Sequence, residues 1–408
     1  MPLTTRQVYV RRRIAVVGLA GLLLAGGIYA PLTLLAPISP ASAQVASFAA
    51  PETPAAELAW GEFAGSAVGA VGYDDVLAFS GSEAQLPIAS ITKVVTALVV
   101  LEERPLDLAT PGPTIEFTQA DVAIRQKFLA INGNVSPVRS GLTLTQRDVL
   151  NIVLIESANN YAESLATWAF GSEAAYVAAA QAWLVENSLT NTTIADSTGM
   201  SAMNTSTTSD LVHLGKLALA NPLVSEIVST TQVSIPQVGV YENRNELVGI
   251  DGIRGIKTGT LDEAGACLLF AADYLIGDIP VTVVGVVLGA VDHDQLRDHV
   301  ATLLTQVKAG FSEVTLATKG EAFAAYDTNW GASSAAVAAS TQTALVWSDA
   351  PVTLLVKAEK VALAQAGSSV GKLNFSVDGQ TFTVPLVLSE TIADPGPWWR
   401  LLHPIQLL

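Results

Sequence analysis

The chain opens on a pattern that differs from the rest of it. Arg6 and Arg11-Arg-Arg13 precede an uncharged run from Ile14 to Ala50, most apolar between Ile14 and Ala30 and continuing to Pro37. Roughly 20 apolar residues are needed to span a bilayer, whereas a signal-peptide core needs about 7–15. Ala41-Ser-Ala43 before Gln44 has the small-residue pattern of a cleavage site. The two signals conflict, and the length of the run favours an anchor. The expected organisation is a basic cytoplasmic segment at 1–13 and a transmembrane anchor or signal segment at 14–38. An Ala-, Pro- and Ser-rich linker follows at 39–57. The arginines stay on the inner side and everything after them is exported.

Beyond the linker the pattern alternates between two periods. Glu62–Ala70 and Val76–Ser80 predict a hairpin around Gly72-Tyr-Asp-Asp75. Val94–Leu101 is apolar nearly all round, as in a buried helix starting near Pro87. Residues 105–220 read as mostly helical with polar loops. One of those helices is Arg147–Ile155, with Thr145 and Asp148 as a capping box. Gly252–Gly259 suggests an edge strand, Ala264–Ala271 and Val281–Leu288 buried strands, and Asp292–Lys308 an amphipathic closing helix. Strands, then helices, then strands and a helix predict an α+β domain with an antiparallel sheet over 58–313. From Val314 the period becomes two. Val352–Val356 and the strands around Asp378-Gly379 predict a small β-rich domain over 314–408. Pro397-Trp-Trp-Arg-Leu-Leu402 could touch a membrane surface, but packing on its own domain is the favoured reading.

Composition narrows the functions. Half of the 408 residues are hydrophobic, and the net charge of −16 argues against a nucleic-acid partner. Cys267 is the only cysteine and reads as a small core residue. His213, His293, His299 and His403 have no zinc-site spacing, and Asp292-His-Asp294 reads as a solvated turn rather than a metal site. No Gly-rich phosphate loop is evident. The reading calls for no metal and no organic cofactor.

Three short strings carry the chemistry: Ser90-Ile-Thr-Lys93, Ser157-Ala-Asn159 and Lys257-Thr-Gly259. A serine hydroxyl is a weak nucleophile until a base takes its proton. The i, i+3 spacing of Ser90 and Lys93 puts both on one helical face. Burial would lower the lysine pKa, and a neutral amine is a base. Each string alone means little. Ser90 and Lys93 could be a helix cap and a snorkelling lysine, and Ser157-Ala-Asn159 a polar turn. Ser369-Val-Gly-Lys372 also matches the first string, yet lies in a strand-like tail without partners, so it reads as chance. The trio in this order is the known signature of penicillin-binding proteins and class A β-lactamases.

The surrounding residues make the match denser. Pro87–Leu98, Asp196-Ser-Thr-Gly-Met200, Asn204, Ser206–Leu211 and Asp262-Glu-Ala-Gly265 resemble the serine-type D-alanyl-D-alanine carboxypeptidases, the low-molecular-mass penicillin-binding proteins of peptidase family S11. The resemblance spans about residues 64–312. It implies that 58–313 is a β-lactamase/penicillin-binding-protein-like catalytic domain, an antiparallel sheet flanked by helices plus a helical subdomain, often followed by a small β-rich one. It makes Ser90 the nucleophile, Lys93 its base and Ser157 a proton relay. Asn159, Lys257, Thr258, Gly259 and Thr260 bind substrate, and the backbone N–H groups of Ser90 and Thr260 form the oxyanion hole. The implied partners are peptidoglycan stem peptides ending in D-Ala-D-Ala, β-lactams as covalent inhibitors and the plasma membrane, with an extracytoplasmic location. One departure stands out: the family usually has an aromatic residue or His after Lys-Thr-Gly, then Thr or Ser, and this chain has Thr260 and Leu261. A class A β-lactamase would need a Glu-x-x-Leu-Asn loop, and the nearest string, Glu186–Thr190, lacks the final Asn. Endopeptidase action would use the same site. A non-catalytic wall-binding protein would not need all of these residues intact.

Overall fold

The computed structural model describes residues 5–74 and 76–407. It begins with helix α1, Thr5–Leu34, exposed along almost its whole length. Its most apolar stretch has a mean hydropathy of 2.0, enough in length and composition to cross a membrane. The rest divides into two compact units. One comprises Thr53–Glu313 together with Leu345–Asp349; the other comprises the residues up to Glu52, Val314–Ala344 and Ala350–Leu408.

The first unit is built on a five-stranded antiparallel sheet. Its strands are β1 (Gly65–Ala70), β2 (Val76–Gly81), β3 (Ile253–Leu261), β4 (Gly265–Ile276) and β5 (Ile279–Ala290), in the order β3-β4-β5-β1-β2. The β1–β2 hairpin is as the pattern predicts, although Asp75 of its turn lies outside the described residues. Alternation along β4 sends Cys267, Leu269 and Ala271 into one core, and Leu268, Phe270 and Ala272 into another. The helices of this unit include α2 (Thr92–Glu103), α3 (Asn159–Phe170), α4 (Thr208–Ala220) and α5 (His293–Gly310).

Helix α5 covers the second face. Leu296, Val300, Leu303, Leu304 and Val307 recur at helical spacing and are all buried against the sheet. Burying each such side chain contributes about 1.5–3 kcal/mol. Asp292 starts α5 by accepting from the Gln295 N–H at 2.8 Å. On the opposite face α4 packs on β4 and β5. Helix α2 is the innermost helix, buried without a break from Thr92 to Leu101. It is surrounded by α3, by Glu173–Glu186 and by α4. That enclosure explains why its sequence is apolar all round.

The second unit is a six-stranded antiparallel sheet. Its long strands are β6 (Ala322–Asp327), β7 (Ser333–Ala338), β8 (Thr353–Ala358), β9 (Ser369–Val377) and β10 (Gln380–Leu388). The order runs from the two-residue strand Gln44–Val45 through β6, β7, β10 and β9 to β8. Asp378 and Gly379 both have positive φ, 48° and 76°, as the two-residue turn between β9 and β10 requires. Phe48 and Phe323 pack edge-on against Phe375. Residues 41–48, linker-like in composition, are therefore built into this unit. Ala41 exchanges backbone bonds with Val361 at 2.8 and 3.0 Å. Hydrogen bonds of this kind use backbone groups that any residue carries, so composition does not reveal them. A last helix, α6, spans Pro397–Leu402.

Candidate active site

Ser90 lies in the 3₁₀ turn Ala89–Ile91 that leads directly into α2. The preceding residue, Ala89, has φ 45°, a left-handed conformation that costs a non-glycine residue energy. Neighbours hold it there. Ile88 donates its N–H to Asn204 O at 3.0 Å, and Leu86–Pro87 pairs with Thr205–Ser206. Gly199, φ +83°, passes so close that a Cβ on it would fall 2.0 Å from Ala89 O.

Lys93 follows one turn later and is fully buried. Its Nζ donates to Asn159 Oδ1 at 2.7 Å and to Thr198 O at 2.6 Å, and stands 2.8 Å from Ser90 Oγ. Burial pushes its pKa well below the usual lysine range, the charge of Lys257 adds to this, and Asp196 opposes it. Both amide and peptide carbonyls can only accept. A neutral amine therefore spends its two N–H groups on Asn159 and Thr198 and turns its lone pair to the Ser90 hydroxyl. The loop supplying Thr198 O is shaped by Asp196, whose carboxylate accepts from the N–H groups of Thr198, Gly199 and Ser201 at 2.7–2.8 Å.

The helix from Gln146 to Asn151 starts at a Thr145–Asp148 capping box, as the pattern suggests. It widens into a π-turn at Ile152–Glu156, and Ser157 ends it in a left-handed conformation, φ 65°. Asn159 then opens α3, which aims its side chain at Lys93. Ser157 lines the same cleft as Ser90.

Strand β3 is the edge strand of its sheet and forms the opposite wall. Thr258, Gly259 and Thr260 line the cleft, while Lys257 lies behind them, 1% exposed. Burial, then the charge of Arg244, brings Lys257 down to about 7, with Glu156 opposing. A Cβ on Gly259 would meet Ser90 N and Ala89 Cβ at 3.1 Å, so this glycine lets the strand approach the Ser90 turn. The open cleft between these walls has a volume of about 1010 Å³. Arg244 donates two bonds to Glu156 at its edge, at 2.6 and 3.2 Å.

One neighbour of the cleft is not legible as such in the sequence. His293, the first residue of α5, places Nε2 2.8 Å from Thr260 Oγ1. Its pKa is lowered, chiefly by burial and next by Lys257. The Asp292-His-Asp294 string looks like a solvated turn because its meaning depends on a strand 33 residues earlier. Asp292 caps the helix and so sets where the imidazole points. Ser369 and Lys372, the second match to the first string, lie on β9. Among the described residues no cluster of metal-ligating side chains occurs.

Residues 70–292 match the family described as D-alanyl-D-alanine carboxypeptidase, peptidase S11, and so cover more than half of the chain. The chain belongs to that family. It is 34% identical over 192 residues to the D-alanyl-D-alanine endopeptidase of Pseudomonas aeruginosa, covering 45% of this chain and 58% of that protein. It is 27% identical over 346 residues to the D-alanyl-D-alanine carboxypeptidase DacC of Escherichia coli, covering 80% of this chain and 83% of that one. The chain spans only about three fifths of the length of the endopeptidases it matches, 58% and 62%. Among solved structures, the D-alanyl-D-alanine carboxypeptidase DacD of Francisella tularensis superposes with a TM-score of 0.60. It covers 86% of this chain and 97% of that one at 16% identity, a likeness of fold alone. The α+β penicillin-binding-protein fold with an added β-rich unit is thus the fold of this member too.

Proposed function

We propose that this S11 hydrolase is a serine D-Ala-D-Ala carboxypeptidase that removes the terminal D-alanine from peptidoglycan stem peptides through an acyl-enzyme on Ser90. The observation that carries the reading is the buried Lys93 amine, 2.8 Å from Ser90 Oγ and held by the carbonyl oxygens of Asn159 and Thr198. Neutral Lys93 takes the Ser90 proton as Oγ bonds to the carbonyl carbon between the two D-alanines. The N–H groups of Ser90 and Thr260 hold the oxyanion, each such donor being worth about 2.7–4 kcal/mol. Ser157 passes the proton to the amine that leaves as free D-alanine. Water, deprotonated by Lys93 with Ser157, then releases the shortened peptide and restores Ser90. Thr258 and Thr260, with Lys257 behind them, receive the substrate's terminal carboxylate, and Asn159 its amide backbone.

Extracytoplasmic action fits α1, read here as a membrane helix with Arg11–Arg13 on the cytoplasmic side. A β-lactam would acylate Ser90 in the same way, leaving its ring-opened amine tethered. The test is release of D-alanine from an acylated Lys-D-Ala-D-Ala tripeptide by the wild-type chain and by Ser90→Ala. Release by the first only supports the reading; equal release by both, or by neither, overturns it. A second reading, endopeptidase action on cross-linked stem peptides, is favoured by the 34% and 32% identity to proteins named D-alanyl-D-alanine endopeptidase. Cleavage of a cross-linked muropeptide dimer faster than release of D-alanine would establish it instead.

A further inference from the structure

The C-terminal end of α1 and the residues after it meet the stretch 394–407 in the β-rich unit. Arg400 on α6 is buried, 9% exposed. It donates to the carbonyls of Leu34 at 3.3 Å and Ala36 at 2.6 Å, groups that the end of α1 leaves without a helical partner. Asp394 balances its charge, accepting from Nε at 3.2 Å and pairing with the guanidinium tip. The Tyr29 hydroxyl donates to Leu401 O at 2.6 Å, and the Ser39 hydroxyl to Leu407 O at 3.3 Å. The chain then enters the sheet through Ala41 and Gln44–Val45. The end of α1 is therefore clamped to this unit by a charged side chain and a ladder, not tied to it by a free tether.

The outer side of α6 and of the turn after it, Pro404–Leu407, is apolar. Trp398 is 77% exposed, Leu402 73% and Ile405 86%. Trp398 and Leu402, four residues apart, share one face. Trp399, by contrast, packs against Trp330 and stacks on His403. The length of α1 points to what covers the exposed face. From Ile14 to Leu34 the helix rises about 32 Å at 1.5 Å per residue, close to the ~30 Å of a bilayer's hydrocarbon core. With Arg11–Arg13 in one headgroup layer, Leu34 reaches the other, and α6 is bonded at that level. Tryptophan prefers that layer.

We propose that α6 is an interfacial seat. It clamps the outer end of an uncleaved α1 through Arg400, and lays Trp398, Leu402 and Ile405 into the headgroup layer of the bilayer that α1 crosses. Cleavage after Ala43 would strip Arg400 of both carbonyl partners and remove the Ala41 pairing, so the clamp belongs to a chain that keeps α1. The inference rests on the reading of α1 as a membrane helix.

The test uses the full chain in phosphatidylcholine–phosphatidylglycerol vesicles whose acyl chains carry bromine either just below the headgroup or near the bilayer centre. Bromine quenches tryptophan emission on contact, and the chain has seven tryptophans, so it is compared with Trp398→Phe. The expected result is a share of emission lost to shallow bromine more than to deep bromine, and absent from Trp398→Phe. Equal quenching of the two chains overturns the seat. Equal quenching together with a concentration-dependent dimer assigns the face to a second copy, and also overturns it. Sedimentation with vesicles is read on the same samples; a chain that stays in solution overturns the membrane reading and the seat with it. Arg400→Met should leave vesicle binding intact and raise proteinase K cleavage between residues 35 and 44 several-fold. Unchanged cleavage overturns the clamp. Chain recovered from bacterial membranes should retain α1 by intact mass; an N-terminus at Gln44 overturns retention.

Discussion

Lys93 has three polar neighbours and, once neutral, only two protons to give them. The two carbonyls take both, and the serine hydroxyl is left facing a lone pair. This makes acylation of Ser90 by a penicillin depend on the unprotonated amine. The sign follows from the lowered pKa: the unprotonated base is gained at lower pH than for an ordinary lysine and is lost as pH falls through that lowered pKa. The acylation rate, followed by intact mass, should drop about tenfold per pH unit on the acid side, and a flat profile would refute the assignment. Lys93→Ala should slow acylation by about 10²–10⁴-fold, the usual worth of a general base. Lys93→Arg should fail equally, since a guanidinium stays protonated. His293 contacts Thr260, and its expected role is to hold that hydroxyl. His293→Ala frees that hydroxyl to rotate, so KM for a D-Ala-D-Ala peptide should rise several-fold with kcat little changed. A fall in kcat alone would assign His293 a different role.

At the scale of elements, the site is a junction of three chain reversals and an edge strand. The Ala89–Ile91 turn and the Asp196–Ser201 loop bring Ser90 Oγ and Thr198 O to the Lys93 amine, while the π-turn ending at Ser157 and the edge strand β3 line the cleft beside them. Two of them hold non-glycine residues in the left-handed region, Ala89 and Ser157. Packing imposed that conformation, since neither residue type prefers it. The close approach of β3 to the serine turn is the most sensitive joint. Gly259→Ala would press a methyl group on Ser90 N. One oxyanion donor is thereby displaced, and acylation should fall by about 10²–10³-fold. The β-sheet content in circular dichroism should stay unchanged. Acylation at the wild-type rate would show that the strand can retreat at no cost.

For the whole molecule, the boundary between the units is not a cut in the sequence. A β-rich domain beginning at 314 would carry Trp347 with it, but Leu345–Asp349 belongs to the unit that holds the site. There Trp347 is buried, meets Phe311 edge-on at 4.9 Å and donates its indole N–H to Leu77 O at 3.2 Å. Trp347→Ala should cost about 3–5 kcal/mol in urea unfolding, as for other buried tryptophans. A truncation ending at residue 315 should melt at a lower temperature than the full chain even though it keeps every named site residue. Equal melting of the two would show that Trp347 contributes nothing to this core.

The sequence by itself determined the local elements and the chemical types. Period-two and helical patterns located the β1–β2 and β9–β10 hairpins, β5 and α5, because side chains alternate or recur by backbone geometry alone. The spacing of Ser90 and Lys93 placed them on one helical face for the same reason. What only the tertiary structure decided is which distant atoms meet. Asn159 and Thr198 reach Lys93 across 66 and 105 residues, and His293 reaches Thr260 across 33. Arg400 reaches the end of α1 across more than 360 residues. Such contacts leave no period in the chain. They arise from backbone bonds and packing that are specified jointly by the whole fold, so they become visible only once the sheet, the helices and the chain ends are in place.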